Sequence, residues 1–529
     1  MSDFFGIVLC MPDVAQITVA PERAAQLTRL IRATGTETRT TVSPLSGADV
    51  ATIPVSTDQD VLDAFAAARV AQLTWARTSL RRRKKALLRL HDLVLKHQDE
   101  LLDLVQLESG KARAHAFDEV LHTALTGRYY GRRLARILGP HRRGGVYPVL
   151  TSVRQHQRPK GVVGLITPWN YPLSMALVDG LAAVAAGNAV VHKPDSQAPL
   201  TALAIIELMY RAGFPKDLWQ VVSGAGSVIG SAIIANADYI CFTGSTATGK
   251  RIAAQCSERL IGCSLELGGK NPMIVLPGAD VEKAVEGTVT AAFSSAGQLC
   301  VSIERIYVHE SIYARYRDAL AERLSHLAFG ANADWEVEMG TLVSPAQLAT
   351  IEKHVADALD HGATLVSGGR ARPDIAPWFH EPTVLEDVPP AALCFAEETF
   401  GPLVSLYPYR SVGEAVQAAN STVYGLNASV WGPTRRARKV AERLRAGTVN
   451  VNEGFAATFG SIGAPMGGMK ESGTGRRQGA EGLLRFTETQ SIGVQRLMPV
   501  SGPAFLSRRT FRSLLTVGLG LLRRLTTRA

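Results

Sequence analysis

Several signatures of specialised proteins are missing from this chain of 529 residues. It has only 6 cysteines, and none of them forms a C-x-x-C pair or a spacing typical of a metal site. Cysteines this sparse exclude a disulfide scaffold and favour a reducing compartment. We therefore expect a cytoplasmic protein without a bound metal.

Nucleic-acid motifs are missing as well. The formal charge is +10, but the residues from Val500 onward hold six arginines and no acid, which leaves only +4 on the rest of the chain. The rest of the chain is only mildly basic and has no zinc-finger spacing. Both observations argue against a nucleic-acid-binding surface. We expect no nucleic-acid partner.

Long hydrophobic runs are absent from both ends. The run SLLTVGLGLL (513–522) is too short for a bilayer span, which needs about 20 apolar residues. The tail 501–529 is either a basic segment on an acidic membrane or a docked terminal helix. We favour the docked helix and do not expect membrane contact. The apolar run before Cys10 has no preceding Lys or Arg, so it does not fit a signal peptide, and Met1 and Met11 are equally good starts.

What the sequence does contain is an ordinary globular composition, with 46% hydrophobic and 20% charged residues. Strands alternate with helices in two successive parts, which predicts parallel sheets of an α/β fold. In the first part, KGVVGLITP (160–168) is typical of a buried strand. The second part begins after Gly268, with a strand at NPMIVL (271–276) and a helix over 280–297.

Seven short motifs follow one another in a fixed order. They are TPWNYP (167–172), HKPDS (192–196), FTGSTATG (242–249), ELGGKNP (266–272), GQLC (297–300), EETFGP (397–402) and PMGGMKESGTGR (465–476). This set resembles the aldehyde dehydrogenase superfamily from about residue 45 to residue 495. Within it, KPDSQ, GKNPMIV, AGQLC, GTVNVNEG and APMGGM most resemble the bacterial NADP-dependent succinate-semialdehyde dehydrogenases.

The resemblance implies an aldehyde dehydrogenase-like α/β fold, with two doubly wound α/β domains and a small β-ribbon arm for oligomerisation. The dinucleotide-binding domain is expected at 20–144 and 161–268, and the catalytic domain at 269–483. The ribbon is expected at 145–160 and 484–498, followed by the basic tail 499–529. Since exposed edge strands pair readily, we expect a homodimer or homotetramer.

Three residues carry the expected catalysis. A thiolate at Cys300 would add to the aldehyde carbon and form a thioester after hydride loss. Glu266, in an apolar and glycine-rich setting, would activate the water that hydrolyses the thioester. The Asn170 amide, with the backbone N–H of Cys300, would stabilise the oxyanion. Each has a plainer structural interpretation, and the motif context favours the catalytic one. The other five cysteines are interpreted as buried core residues.

Nine further residues are matched to cofactor binding, with NADP preferred and NAD also conceivable. Ser196 stands where many NAD-preferring members carry Glu, and a hydroxyl can donate to a 2′-phosphate. Gly244, Ser245 and Gly249 begin a helix whose N-terminus favours pyrophosphate. The remaining residues are matched to contacts with the ribose, the nicotinamide and its ring. They are Trp169, Lys193, Leu267, Glu398 and Phe400, and Asn170 also faces the cofactor. The segment GAGSVIG (224–230) is interpreted as a turn beside the cofactor.

The substrate is less well determined. Succinate semialdehyde carries a carboxylate, yet the two arginines that family members use for it correspond here to Ser294 and Val178. Ser294, Ser295 or a backbone nest could substitute. The alternatives are a broader aldehyde dehydrogenase, an esterase that uses the same thiol, and a catalytically idle membrane-associated scaffold.

Overall fold

The structure is a computed structural model that describes residues 17–147 and 150–526. The N-terminal apolar run and the choice between Met1 and Met11 lie outside the described residues. Most of the chain is helix and strand in alternation, as the sequence predicts. The α-helices are α1 (Pro21–Thr28), α2 (Asp58–Ala76), α3 (Leu80–Lys96), α4 (Gln98–Ser109), α5 (Arg113–Leu138), α6 (Pro172–Ala186), α7 (Pro199–Ala212), α8 (Ser231–Asn236), α9 (Thr246–Glu258), α10 (Val281–Phe293), α11 (Tyr313–Ser325), α12 (Pro345–Asp360), α13 (Leu393–Ala396), α14 (Val412–Asn420), α15 (Thr434–Ala441), α16 (Ala456–Phe459), α17 (Gly479–Leu484) and α18 (Arg508–Thr526).

Within the described residues the strands form four separate sheets, two of them large. The strands are β1 (Thr38–Val42), β2 (Asp49–Pro54), β3 (His141–Arg143), β4 (Thr151–Pro159), β5 (Val162–Ile166), β6 (Ala189–Lys193), β7 (Trp219–Val221), β8 (Tyr239–Thr243), β9 (Gly262–Glu266), β10 (Asn271–Val275), β11 (Ile303–His309), β12 (Thr364–Ser367), β13 (Thr383–Glu386), β14 (Leu403–Tyr409), β15 (Asn427–Trp431), β16 (Thr448–Val451), β17 (Gly473–Thr474) and β18 (Thr487–Gln495). Both large sheets are mainly parallel, which confirms the predicted fold class.

The first large sheet has the strand order β17-β9-β8-β5-β6-β7 and is parallel except for β17. Its inner strands β5 and β6 are buried along their whole length, as expected of strands covered by helices on both faces. Helix α6, which leads from β5 to β6, is also buried all round. This rigid layer positions the loops that leave its carboxyl edge.

The second large sheet has the order β12-β13-β14-β11-β10-β15-β16 and is parallel except for β12. Its helix α10 ends at Phe293, earlier than the sequence pattern suggested. The predicted helix over 280–297 is wrong in its last turn, because Ser295 and Ala296 adopt positive φ angles of 53° and 54°. Left-handed backbone at two successive residues breaks the helix just before Cys300.

A third sheet, β18-β4-β3, is antiparallel and pairs Thr487 with Pro159 through to Gln495 with Thr151. It contains the two segments predicted to form the ribbon, and β3 adds a strand from outside the predicted range. Most of β18 is exposed along one edge. The two-residue strand β17 joins the first sheet, although it lies within the range predicted for the catalytic domain.

Helix α18 extends beyond the ribbon and is only lightly packed on the body. Its Phe511 ring lies edge-on to Tyr147, with ring centroids 6.4 Å apart. The Tyr147 hydroxyl donates to the Val500 carbonyl, which ties the start of the tail to the loop before β4. Within the described residues, no helix is both long and apolar enough to cross a membrane.

Candidate active site

A cavity of about 270 Å³ lies where the two large sheets meet. The three predicted catalytic residues, Cys300, Glu266 and Asn170, all line it. The predicted cofactor residues Trp169, Gly244, Ser245, Leu267, Glu398 and Phe400 line it as well. The remaining lining residues are Pro168, Tyr171, Met175, Thr243, Gly268, Leu299, Phe459, Met466 and Arg477.

Strand order explains how residues far apart in sequence meet here. In a parallel sheet the carboxyl ends of all strands lie on one edge. Glu266 ends β9, Gly244 follows β8, Asn170 follows β5 and Lys193 ends β6. The order β9-β8-β5-β6 therefore sets these four residues along one edge in that sequence. Cys300 reaches the same edge from the loop that precedes β11 in the second sheet.

The Cys300 loop is held by a buried amide. Asn271 Nδ2 donates to the carbonyls of Cys300, at 2.8 Å, and of Ser302, at 2.7 Å. The Cys300 thiol is partly exposed to the cavity. Burial raises its pKa to about 12, the Arg477 charge opposes this rise, and the Glu266 carboxylate adds to it. In the closed cavity the thiol therefore keeps its proton at neutral pH.

Glu266 is a buried carboxylate with a free acceptor atom. Its side chain is only 4% exposed, and among the described residues Oε1 accepts no hydrogen bond. Burial raises the pKa of Glu266 to about 7, although the Arg477 charge lowers it. A carboxyl that ionises near neutral pH and keeps one oxygen free is suited to accept a proton from water.

Arg477 is a functional candidate that the sequence analysis missed. Its Nε lies 3.9 Å from Glu266 Oε1 and has no hydrogen-bond partner among the described residues. The other end of the guanidinium is fixed, because Nη2 donates to Asp179 Oδ2 at 3.0 Å and to Thr243 Oγ1 at 2.9 Å. Two successive arginines follow PMGGMKESGTG, and they could have drawn attention to this position. The motif ended at Arg476, so Arg477 was left out.

Asn170 is fixed from both sides. Its Nδ2 donates to the Gln298 carbonyl at 2.9 Å, which leaves one amide hydrogen for another acceptor. The backbone carbonyl of Asn170 accepts a hydrogen bond from the buried Lys111 Nζ at 2.7 Å. Lys111 is in turn paired with Glu119 at 2.6 Å, whose other oxygen accepts the N–H groups of the first turn of α6. No sequence pattern indicated this buried pair.

The loop that carries Glu398 and Phe400 is held by a second buried pair. Lys270 Nζ contacts Glu304 Oε2 at 2.5 Å, and the Glu304 carboxylate accepts the Phe400 N–H at 3.0 Å. Glu398 Oε1 accepts the Gly269 N–H at 2.7 Å, and burial raises the pKa of Glu398 to about 8. The Phe400 ring lies edge-on to Trp169, with centroids 5.7 Å apart.

Gly249 lies outside the cavity, although it was predicted to contact phosphate. A Cβ at this position would come within 2.4 Å of Leu267 Cδ2. The glycine therefore lets Leu267 pack onto α9. Ser245 is the N-cap of that helix, and both it and Gly244 face the cavity.

Ser196 lies in a second cavity, of about 360 Å³, lined also by Gly224 and by Arg39 and Glu37 near the β1–β2 hairpin. Ser196 Oγ donates to the Gly224 carbonyl at 3.4 Å. The sequence analysis missed Arg39, which is exposed and comes from more than 150 residues earlier in the chain. The predicted turn at 224–230 is corrected in part, since Gly226–Gly230 forms a π-helical turn.

Lys193 stands beside this second cavity but is itself buried. Its Nζ donates to the Pro194 carbonyl at 3.3 Å, and its three successors Pro194, Asp195 and Ser196 line the cavity. Burial lowers the pKa of Lys193; the Asp195 carboxylate opposes that shift and the Arg39 charge adds to it. Lys193 and Arg39 are therefore close enough for their charges to interact.

The expected substitutes for a carboxylate clamp do not line the catalytic cavity. The Ser295 hydroxyl donates to the Tyr171 hydroxyl at 3.4 Å, and the Ser294 hydroxyl is buried without a partner among the described residues. Val178 is buried within α6. Among the described lining residues Arg477 is the one cation, and its charge is already paired with Asp179.

The remaining cysteines divide as follows. Cys241, Cys256 and Cys394 are buried, as predicted. The prediction was wrong for Cys263, which is partly exposed because it stands near the start of the edge-proximal strand β9. Cys10 lies outside the described residues.

Comparison with known sequences identifies close relatives. The profile of the "Aldehyde dehydrogenase family" matches residues 31–492. A Mycolicibacterium smegmatis protein named "Putative succinate-semialdehyde dehydrogenase [NADP(+)]" is 48% identical over 472 residues, covering 89% of this chain and 91% of that protein. A Mycobacterium tuberculosis protein with the same name and the suffix 2 is 49% identical over 467 residues, covering 88% and 90%.

Solved structures of aldehyde dehydrogenases also match this chain. The NAD+ complex of an aldehyde dehydrogenase from Bacillus cereus superposes with a TM-score of 0.85 at 34% identity. The superposition covers 90% of this chain and 99% of that one. The similarity therefore extends over both large sheets and over the cavity at their junction.

Proposed function

Because this chain belongs to the aldehyde dehydrogenase family, we propose that it oxidises succinate semialdehyde to succinate with NADP as the hydride acceptor. The predicted family, fold class and enzyme class are confirmed by the same matches. The names of the mycobacterial relatives support the substrate and the cofactor. The observation that carries the proposal is the single cavity that Cys300, Glu266 and Asn170 share.

Each of these residues has a role in the proposed reaction. The Cys300 thiol first gives its proton to the ionised Glu266 carboxylate, which releases it to solvent. Sγ then adds to the carbonyl carbon, and the free Asn170 amide hydrogen and the Cys300 backbone N–H stabilise the resulting oxyanion. A bound NADP would supply the acceptor for the hydride that leaves this carbon. A thioester on Cys300 remains. Glu266 takes a proton from the attacking water, and Cys300 leaves as the thiolate. One aldehyde, one oxidised dinucleotide and one water become one carboxylate, one reduced dinucleotide and two protons.

The donor set fits a phosphorylated dinucleotide. The catalytic cavity offers the apolar side chains of Trp169, Leu267 and Phe400, and the N-terminus of α9 at Ser245 can face phosphate. The second cavity offers the Ser196 hydroxyl and the Arg39 guanidinium for a 2′-phosphate, although Glu37 and Asp195 line it too. We propose that NADP is preferred and that NAD is also used.

One observation favours a second candidate, an aldehyde dehydrogenase of broader specificity. Apart from the paired Arg477, the described cavity wall beyond Cys300 is mainly apolar. It consists of Tyr171, Met175, Leu299, Phe459 and Met466. An apolar wall discriminates only weakly between a carboxylate-bearing aldehyde and an uncharged one, because it has no unpaired cation to bind the carboxylate.

A substrate panel separates the two candidates. We would measure kcat/KM with succinate semialdehyde and with butanal, which has the same carbon number but no carboxylate, using each dinucleotide and Cys300→Ala as the blank. A preference of tenfold or more for succinate semialdehyde, or about 1.4 kcal/mol, supports the first candidate. Equal values support the second, and no dinucleotide reduction with any aldehyde overturns both.

We further propose how the chain is organised around this site. Residues 20–144 and 161–268 form the dinucleotide-binding domain, and 269–483 form the catalytic domain. The exposed edge of β18 supports a homodimer or homotetramer built through the ribbon. Five free cysteines among the described residues are consistent with a reducing cytoplasm.

A further inference from the structure

The C-terminal helix α18 has no part in the proposed reaction. It lies beyond residues 31–492, which match the family profile. From Val500 onward the chain holds six arginines and no acidic residue. Because α18 lies outside the matched family region and has this composition, we expect it to have a separate function.

Helix geometry separates the charges from the apolar side chains. Successive residues are about 100° apart around a helix, so Arg508, Arg509, Arg512 and Arg523 fall within about 100° of the circumference. The apolar residues lie mostly on the other side. They are Phe511, Leu514, Leu515, Val517 and Leu521, with Leu519 as the exception.

Only part of the apolar side packs against the body. Phe511 and Leu515 are partly buried there. Leu514, Val517 and Leu521 next to them are 58%, 63% and 55% exposed. Phe505, just before the helix, is 85% exposed. The helix therefore presents an apolar strip to solvent beside a row of arginines, and such a strip is unfavourable in water unless something covers it.

The charge of the arginines indicates which kind of partner covers the apolar strip. A second copy of this helix would cover the apolar strip, but it would add a further set of arginines and no acid from the tail to neutralise them. An anionic lipid surface offers phosphates for the arginines and an acyl boundary for the leucines in a single plane. In contrast to the docked helix without membrane contact that we expected from the sequence, we propose that α18 is an interfacial helix that binds this enzyme to anionic lipid bilayers.

Vesicle sedimentation with the full-length chain tests this inference, which is independent of the proposed function. The probes are vesicles of phosphatidylcholine alone and of phosphatidylcholine mixed with phosphatidylglycerol. We expect co-sedimentation with the mixed vesicles only, and its loss at high salt, because the arginine contribution is screened. Absence of binding to the mixed vesicles, or equal binding to both kinds, would overturn the proposal.

Two double variants locate the binding surface. Arg508→Glu with Arg509→Glu removes the charge match, and Leu514→Asp with Val517→Asp removes the apolar strip. Each is expected to lower the bound fraction at least tenfold. The control is Arg435→Glu with Arg436→Glu, which makes the same charge change on the exposed face of α15 and is expected to bind as the parent does.

Further readouts keep the result interpretable. An unchanged far-UV circular dichroism spectrum shows that each variant is folded, and light scattering gives its oligomeric state. If the α18 variants dissociate an oligomer but bind vesicles normally, the apolar strip is an interface between copies and the proposal is wrong. Equal loss of binding in the α15 control would also refute it, since net charge alone would then explain binding.

Discussion

The two cavities along the carboxyl edge of the first sheet are built differently. The catalytic cavity has buried side chains such as Glu266 and Asn170 in its lining, and hydrogen bonds with buried side chains fix the loops of Cys300, Asn170 and Phe400. The second cavity, at Ser196, takes exposed charges from the distant β1–β2 region. Because burial strengthens electrostatic effects and solvent screens them, single substitutions should have large effects in the first cavity and small effects in the second.

The largest effect is expected from Cys300→Ala. Loss of the nucleophile should lower the rate of aldehyde oxidation by about 10⁴-fold or more, while dinucleotide binding, followed by fluorescence, should persist. The matched control is Cys263→Ala, which removes a partly exposed thiol outside the cavity and should keep full activity. Substantial turnover by Cys300→Ala would contradict a thioester mechanism.

Glu266→Gln should slow thioester hydrolysis by about 10²–10⁴-fold, because the amide cannot accept a proton from water. Mass spectrometry should then detect acylated Cys300. In the parent enzyme the steady-state rate should rise with pH through about 7, the pKa of Glu266, since the base must be ionised. Glu352→Gln is the control, because it makes the same change at an exposed position of α12 that lines neither cavity. If no acyl-enzyme accumulates, Glu266 is not the base.

Arg477→Gln should move this pH profile upward. The Arg477 charge lowers the pKa of Glu266, so its loss should leave Glu266 protonated at higher pH, with roughly a fivefold lower rate near neutral pH for a shift of about one unit. Asp179 keeps Arg485 as a partner, and Arg477→Lys should restore part of the original profile. An unmoved profile in both variants would remove Arg477 from this role.

A smaller effect is expected at the second cavity from Ser196→Glu. A carboxylate beside a 2′-phosphate should weaken NADP more than NAD, by about tenfold or less because solvent screens the repulsion. Ser196→Ala separates the loss of the hydroxyl from the added charge. The measurement is the ratio of the two kcat/KM values, and an unchanged ratio in Ser196→Glu would place the 2′-phosphate elsewhere.

The smallest effects are expected from the exposed charges Arg39 and Glu37. Arg39→Ala should weaken NADP relative to NAD by a few-fold, as exposed charges contribute about 0–1 kcal/mol. Glu37→Gln should act in the opposite direction. An effect of Arg39→Ala as large as that of Glu266→Gln would break the contrast between the two cavities.

The difference between the cavities also explains what sequence patterns could predict. Cys300, Glu266, Asn170 and Glu398 stand in short motifs, Glu266 at the end of a strand and the others in loops, and the structure brings all four to one cavity. Arg477 and Arg39 were missed, because each meets its neighbours only through the fold. No local periodicity sets Arg477 beside Glu266 or Arg39 beside Ser196.

The α/β fold class, the family and the loops that hold the reactive side chains follow from the sequence alone. These depend on local signals, namely strand–helix alternation and motifs whose residue types suit one chemistry. The surroundings of the reactive side chains depend on the folded chain. It set the free oxygen of Glu266 beside Arg477, ended α10 before Cys300, and left the apolar strip of α18 exposed. Burial and charge proximity depend on contacts between distant segments, which the order of residues along the chain does not reveal.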